Sequence, residues 1–305
     1  MADLAYSQLF NDIRVLGELP PRRVAAKLQQ LGDPEGAEEF KLRSKEKDSD
    51  KFFDLFKPKA WEHTTHVFGY LPLRTEVSAA PQSIRYAGSI KADDSLRNSR
   101  INVHLDRLRV FDYPGGGEHM VMFTFMAQNQ ISQASEPVSF SQRYEVQENQ
   151  LAGIAGWPIF VGLNVGSLGV ALQGFTVNVK NKNDEAMLNY LNSSPFQSGL
   201  NLLKTAQPAI KPFVEMTLGV AQSVMTRNRN VPVQKFYLGL DFTTAALGFP
   251  LAQGNFIAVQ VPSENSITWD EWVYMPNSGA VVAKSGSNST IPFNYVIFRI
   301  SRYED

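Results

Sequence analysis

The chain has 305 residues, of which 43% are hydrophobic and 19% are charged, a balance that argues against disorder. The length suffices for one large or two ordinary domains with a sizeable core. A net charge of −1 provides no global positive field for nucleic acid, and the lack of cysteine excludes disulfides, cysteine-ligated zinc and thiol nucleophiles. We therefore expect no cofactor and no nucleic-acid partner.

The N-terminal residues predict a protein without a secretion signal. They contain neither a basic segment nor a continuous apolar segment of the kind that signal peptides have. Nowhere does the chain approach the roughly 18 uninterrupted apolar residues that a membrane span needs. We expect a soluble, cytoplasmic protein.

The first 58 residues predict a helical arm and a charged linker. One helical stripe consists of Leu4, Phe10, Ile13 and Leu16. Pro20-Pro21 ends this helix and opens a second, which stops at Gly32, so that 3–31 forms a helical hairpin. The charged stretch from Glu38 to Lys59 is interpreted as a linker or a solvated helix face, with a basic docking patch as the alternative.

From residue 60 the pattern changes to that of strands. Apolar residues alternate from Ile101 to Leu105, and the alternation shifts by one at Arg107-Leu108, which predicts a β-bulge. Gly115-Gly116-Gly117 predicts a turn, across which the strand 119–127 would pair with 101–111.

A helical insertion is predicted to interrupt the strands near 184–227. Asn183-Asp184-Glu185 can cap a short helix that runs through Leu191, and Pro212 to Arg227 is amphipathic. The predicted units are the helical arm and linker 1–58, the first β block 60–182, the insertion 183–230 and the second β block 231–305, packed with the first. The fold class is α+β and mostly β, with an antiparallel, sandwich-like body.

Two of the four histidines, His63 and His66, lie beside Glu62 and raise the question of a metal site. The order E-H-x-x-H is neither the zinc-protease motif nor its inverse. On a strand, residues three apart point to opposite faces, so the two imidazoles could share an ion only across a bulge. We predict no metal site and retain His63 and His66 as the candidate ligands.

No catalytic signature is found, whether a nucleophile elbow or a phosphate-binding loop. The leading hypothesis is a non-enzymatic interaction or assembly protein. Its arm would bind a protein partner or a sister subunit through Leu4, Phe10, Ile13 and Leu16. One alternative is a membrane-active protein that uses the helices of 184–227. The other is a metal-dependent hydrolase built on His63, His66, His104 or His119.

Overall fold

The fold is taken from a computed structural model of the chain. It describes residues 11–45, 57–73, 79–130, 137–154, 156–180, 184–194, 219–225, 227, 229–243, 248–286 and 289–304. Of the predicted features, Leu4, Phe10 and most of the amphipathic segment that starts at Pro212 lie outside the described residues.

Strands dominate the described residues, which confirms a mostly-β member of the α+β class. The α-helices with assigned bounds are α1 (Pro21–Leu31), α2 (Pro34–Lys45) and α3 (Glu185–Leu191), and residues 219–225 are also helical. The strands are β1 (Thr65–Pro72), β2 (Gln82–Ser83), β3 (Arg85–Tyr86), β4 (Arg100–Val110), β5 (Glu118–Gln130), β6 (Pro137–Gln147), β7 (Gln150–Leu151), β8 (Trp157–Asn164), β9 (Gly169–Val179), β10 (Asn230–Asp241), β11 (Phe249–Pro250), β12 (Gly254–Val261), β13 (Trp272–Met275), β14 (Ala280–Ala283) and β15 (Tyr295–Arg302). The 3₁₀ turns are Leu16–Glu18, Ala60–Glu62, Ala87–Ser89, Asp94–Leu96, Glu264–Ser266 and Trp269–Glu271.

The helices begin and end where local chemistry favours it. Helix α1 has Pro21 in its first turn and ends at Gly32, whose φ of 82° is the left-handed conformation that glycine adopts without strain. Helix α3 is capped by Asp184, whose carboxylate accepts a hydrogen bond from the Met187 N–H at 3.2 Å. Both boundaries confirm the sequence predictions. Part of the charged stretch that follows Gly32 is helical, as α2.

The strands form three sheets. The central sheet has the order β3-β1-β12-β15-β4-β7, with β8 also paired to β4; the five-stranded sheet has the order β11-β10-β9-β5-β6; and the small sheet has the order β14-β13-β2. Except for the short parallel pair β10–β11, every pairing between the described strands is antiparallel. Strands of the second predicted β block therefore pair directly with strands of the first.

Phenylalanine rings from the central and five-stranded sheets contact each other and form the main core. The ring centroids of Phe125 and Phe298 are 5.2 Å apart, and those of Phe68 and Phe236 are 6.2 Å apart. All four side chains are buried. Aromatic side chains remove large apolar areas from water, and this burial is the main stabilising contribution to the two-sheet core.

The opposite face of the central sheet carries a second, smaller core. Trp269 and Ile84 pack there against Gly69 of β1, where a Cβ atom would lie 2.7 Å from the indole ring. The hydroxyl of Tyr295 on β15 accepts a hydrogen bond from the Val281 N–H of the small sheet at 3.2 Å. Because both faces of the central sheet are covered, its strands are buried on both sides.

The predicted hairpin between 101–111 and 119–127 is wrong. Strand β4 belongs to the central sheet, and β5 belongs to the five-stranded sheet, where it pairs with β6 and β9. Between them Tyr113 is buried, and its hydroxyl lies 2.7 Å from both Thr176 Oγ1 and Gln234 Nε2. These bonds attach the segment between β4 and β5 to β9 and β10 of the five-stranded sheet. The glycine-rich turn alone did not indicate this change of sheet.

The predicted bulge in the first long strand is confirmed. In the pairing of β15 with β4, Ile297 faces Arg107 and Phe298 faces Leu105, so that Asp106 is the extra residue. An inserted residue reverses the inward and outward alternation, as the sequence pattern indicated.

Two buried amides, Gln260 and Asn294, bind each other and three other segments of the fold. Asn294 accepts hydrogen bonds from the Phe111 and Asp112 N–H groups, at 2.8 and 3.1 Å, and donates to the Asp112 carbonyl at 3.0 Å and to Gln260 Oε1 at 2.9 Å. Gln260 Nε2 donates to the carbonyls of His63, at 2.6 Å, and Val233, at 3.0 Å. Both side chains are completely buried, so few other side chains could replace these contacts.

Replacing Asn294 by Ala is expected to lower the free energy of unfolding by about 2–4 kcal/mol, because the buried donors and acceptors lose their partners. Chemical denaturation measures the change. The control is Asn265→Ala at an exposed turn, which should change stability by less than about 0.5 kcal/mol. Equal effects of the two substitutions would contradict the role assigned to the amide pair.

Candidate functional site

The described part of the N-terminal arm is packed on the chain's own body. Ile13 and Leu16, predicted to bind a partner, are buried in the main core. Lys235 of β10 donates to the Ile13 carbonyl at 2.8 Å and pairs with Glu18 at 3.2 Å. Gly17 lies so close to the turn before β1 that an added Cβ would be 2.3 Å from the Glu62 carbonyl oxygen. These residues position the arm on the body.

Gly17→Ala is therefore expected to loosen the arm, because the clash is with backbone atoms that cannot rotate away. We expect a loss of about 1–3 kcal/mol of stability and faster proteolysis near residues 11–19. Gly153→Ala is the matched control, since nothing lies within 4 Å of its added Cβ. Unchanged proteolysis of Gly17→Ala would show that the arm tolerates the added methyl group.

The histidines at 63 and 66 lie in different surroundings. The ring of His66, on β1, is 5.5 Å from that of Phe236 in the five-stranded sheet, and burial lowers its pKa to about 4. The ring of His63 lies 6.0 Å from Phe293, beside β15, and burial also lowers its pKa. Each imidazole thus packs against a different aromatic ring.

The surroundings of the other two histidines also disfavour the charged form. Burial lowers the pKa of His119 to about 4, and burial together with nearby Arg299 lowers the pKa of His104. Among the residues that the structure describes, no group of three or more histidine, aspartate or glutamate side chains is placed to hold a metal ion.

A cleft of about 580 Å³ opens where the segment before β1 meets the ends of β4 and β6. The side chains that give it chemical character are Lys57, Lys59, His63, Asp112, Glu148 and Phe293. Asp112 lies on its wall, and Asp112 Oδ2 accepts a hydrogen bond from the Ala60 N–H at 3.1 Å. The Asn294 side chain hydrogen-bonds to the N–H and the carbonyl of Asp112, and these bonds fix the position of the carboxyl group.

The Asp112 carboxyl titrates near neutral pH. Burial raises its pKa to about 6; the Ala60 hydrogen bond and Lys59 oppose the rise, and Glu148 and Glu62 add to it. The Glu62 side chain is already bound, to Arg43 at 2.7 Å and to the Lys59 N–H at 2.7 Å. The carboxylates left facing the cleft are therefore those of Asp112 and Glu148.

Asp112→Asn is expected to stabilise the protein above pH 6 and to change little at pH 4. A carboxyl whose folded pKa is above its unfolded value stabilises the fold at low pH, and this contribution is lost as pH rises through about 6. The uncharged Asn side chain does not ionise, so the variant keeps this stability. At pH 8 its free energy of unfolding should exceed that of the wild type by up to about 3 kcal/mol. Denaturation of both proteins from pH 4 to 8 measures it, with Asp270→Asn, at an exposed position, as the control. A pH-independent difference would contradict the assignment.

The sheet edges differ in how much backbone they offer for pairing. At the other edges of the sheets, β2, β3, β7 and β11 have two residues each and β14 has four, while β8 is interrupted by two register shifts. Strand β6 pairs with β5 from Pro137 to Gln147 without a shift. Among the described strands, β6 is thus a long and regular edge. The outer edge of β10 is also largely unpaired, but its register shifts between Pro232 and Gln234, and Lys235 there binds the N-terminal arm.

The two faces of β6 are distinct. Phe140 pairs with Phe125, whose ring contacts the central sheet, so Phe140 and Tyr144 face inward. Arg143 and Glu145 face outward; Arg143 is half-buried and Glu145 is exposed. Within the described part of the chain neither of them forms an ion pair. Alternation predicted the strand, but only the sheet order reveals that it is an edge.

Comparison of the chain with protein families, with curated proteins and with solved structures finds no match. Within the residues that the structure describes, no helix combines the length and the apolar character needed to cross a bilayer.

Proposed function

We propose that the chain is a non-enzymatic assembly protein that pairs with a second copy of itself along β6. The observation that carries the proposal is the long, regular edge of this strand. An unpaired edge presents a row of backbone N–H and carbonyl groups to another strand, and natural proteins usually shorten, bulge or cover such edges. The short edge strands and the shifted β8 have such protections, and the β10 edge has a register shift and contacts the N-terminal arm, whereas β6 lacks a bulge and a short length.

The sequence of β6 is complementary to itself in one antiparallel register. When Tyr144 of one copy faces Tyr144 of the other, Arg143 of each copy lies opposite Glu145 of its partner. Both side chains lie on the outward face, where opposite charges directly across two strands stabilise pairing. The register pairs residues 141–147 and leaves Pro137, which has no N–H to donate, outside the paired segment.

The proposed interaction surface is the β6 edge, whereas the sequence predicted the N-terminal arm. Ile13 and Leu16 are buried inside the chain, so they contribute to its own stability. The β6 edge instead offers main-chain hydrogen bonds for affinity and a charge pattern for register. A two-fold symmetric dimer would join the two five-stranded sheets into one continuous sheet.

Charge reversal tests the register. Arg143→Glu and Glu145→Arg each place like charges opposite one another at two symmetric positions, so each is expected to weaken the dimer by roughly tenfold or more. The double variant R143E/E145R exchanges the two signs and should restore the wild-type dissociation constant. Sedimentation equilibrium measures these constants, and Glu264→Arg, at an exposed turn, is the control.

A wild-type protein that stays monomeric at every attainable concentration would overturn the proposal. A double variant that remains as weak as the single ones would reject the Tyr144 register. The melting temperature of each variant is measured in parallel, since an unfolded variant would also lose association.

A further inference from the structure

We propose that the cleft beside Asp112 binds a free α-amino acid with an apolar side chain. Its ammonium group would lie between Asp112 and Glu148, its carboxylate near Lys57 and Lys59, and its side chain against Phe293. This inference does not rest on the pairing along β6, and Glu148 directly follows that strand.

The inner part of the cleft is suited to an ammonium group. Asp112 and Glu148 are both half-buried and line the same space, and Glu148 disfavours the negative charge of Asp112. Asp112 Oδ1 has no donor among the described residues, since the Ala60 N–H binds the other oxygen. A cation between the two carboxylates would relieve their repulsion and supply charge-assisted hydrogen bonds.

The rim of the cleft carries the opposite charge. Lys57 and Lys59 are exposed, whereas the two carboxylates are half-buried, so positive charge lies outside and negative charge inside. This order of charges matches a zwitterion that enters with its ammonium group first. A ligand with a single anionic group would meet the carboxylates, and one with a single cationic group would meet the lysines.

The wall of the cleft is apolar on one side. Phe293 is half-buried there, next to Pro292, and its ring makes an edge contact with the His63 ring at 6.0 Å. Burial lowers the pKa of His63, which disfavours a competing cation on this wall. An apolar side chain of the ligand can remove part of the Phe293 surface from water.

Three matched probes test the charge order on the full-length protein. L-phenylalanine has both charged groups, phenethylamine lacks the carboxylate and hydrocinnamate lacks the ammonium group. Calorimetric titration at about pH 8, where Asp112 is ionised, should show phenylalanine binding about tenfold or more tighter than either analogue. Amide chemical shifts should change at Ala60 and Asn149, which line the cleft.

Variants assign the two ends of the ligand. Asp112→Asn should weaken phenylalanine and phenethylamine by about tenfold each, and its melting temperature shows that it is folded. Lys59→Gln should weaken phenylalanine but not phenethylamine, and Lys284→Gln, outside the cleft, is the control. Phenylalanine affinity should also fall as pH is lowered from 7 to 5, because Asp112 becomes protonated.

Two results would overturn the inference. If hydrocinnamate binds as tightly as phenylalanine, the lysines alone form an anion site and the carboxylates have no role. If none of the three probes binds wild-type protein at millimolar concentration, the cleft is not an amino-acid site.

Discussion

The amide pair of Gln260 and Asn294 is the contact on which the described structure most depends. Gln260 holds the carbonyl of His63, just before the first strand, and that of Val233 in the five-stranded sheet. Asn294 holds the backbone at Phe111 and Asp112, where the chain leaves the central sheet. Hydrophobic burial brings the layers together without direction, whereas these directional bonds fix where their ends meet. The Asp112 cleft is formed at this junction.

Burial favours the neutral form of several histidine and tyrosine side chains inside the core. Burial depresses the pKa of His66 and His119 and raises the pKa of Tyr113 and Tyr295 to about 12. A neutral group costs far less to bury than a charged one, so the interior tolerates these side chains. Asp112, on the wall of the cleft, differs from these groups because its pKa of about 6 allows both forms near neutral pH. The ability of the cleft to respond to pH or to charge depends on this residue.

Local patterns predicted local structure well. The proline and glycine that bound α1, the cap of α3 and the bulge at Asp106 each depend on a few neighbouring residues, and all were visible in the sequence. Strand partners were not visible, because the apolar residues that predict β4 and β5 as strands do not specify which sheet each strand joins. The Asp112 cleft was missed for the same reason: its residues come from positions as far apart as 57 and 293. No spacing rule relates side chains that only the sheet order brings together.

The position of the last strand has a consequence for how this protein is made. Strand β15 lies between β12 and β4 in the central sheet, so β4 has no neighbour on that side until residues 295–302 have been synthesised. During translation, the β4 edge that will pair with β15 therefore stays unpaired until the end of synthesis. Contacts of such large sequence separation slow folding, and they make a nascent or C-terminally truncated chain prone to aggregation. The yield of folded protein would then depend on chaperones that protect this unpaired edge, in addition to the stability of the finished fold.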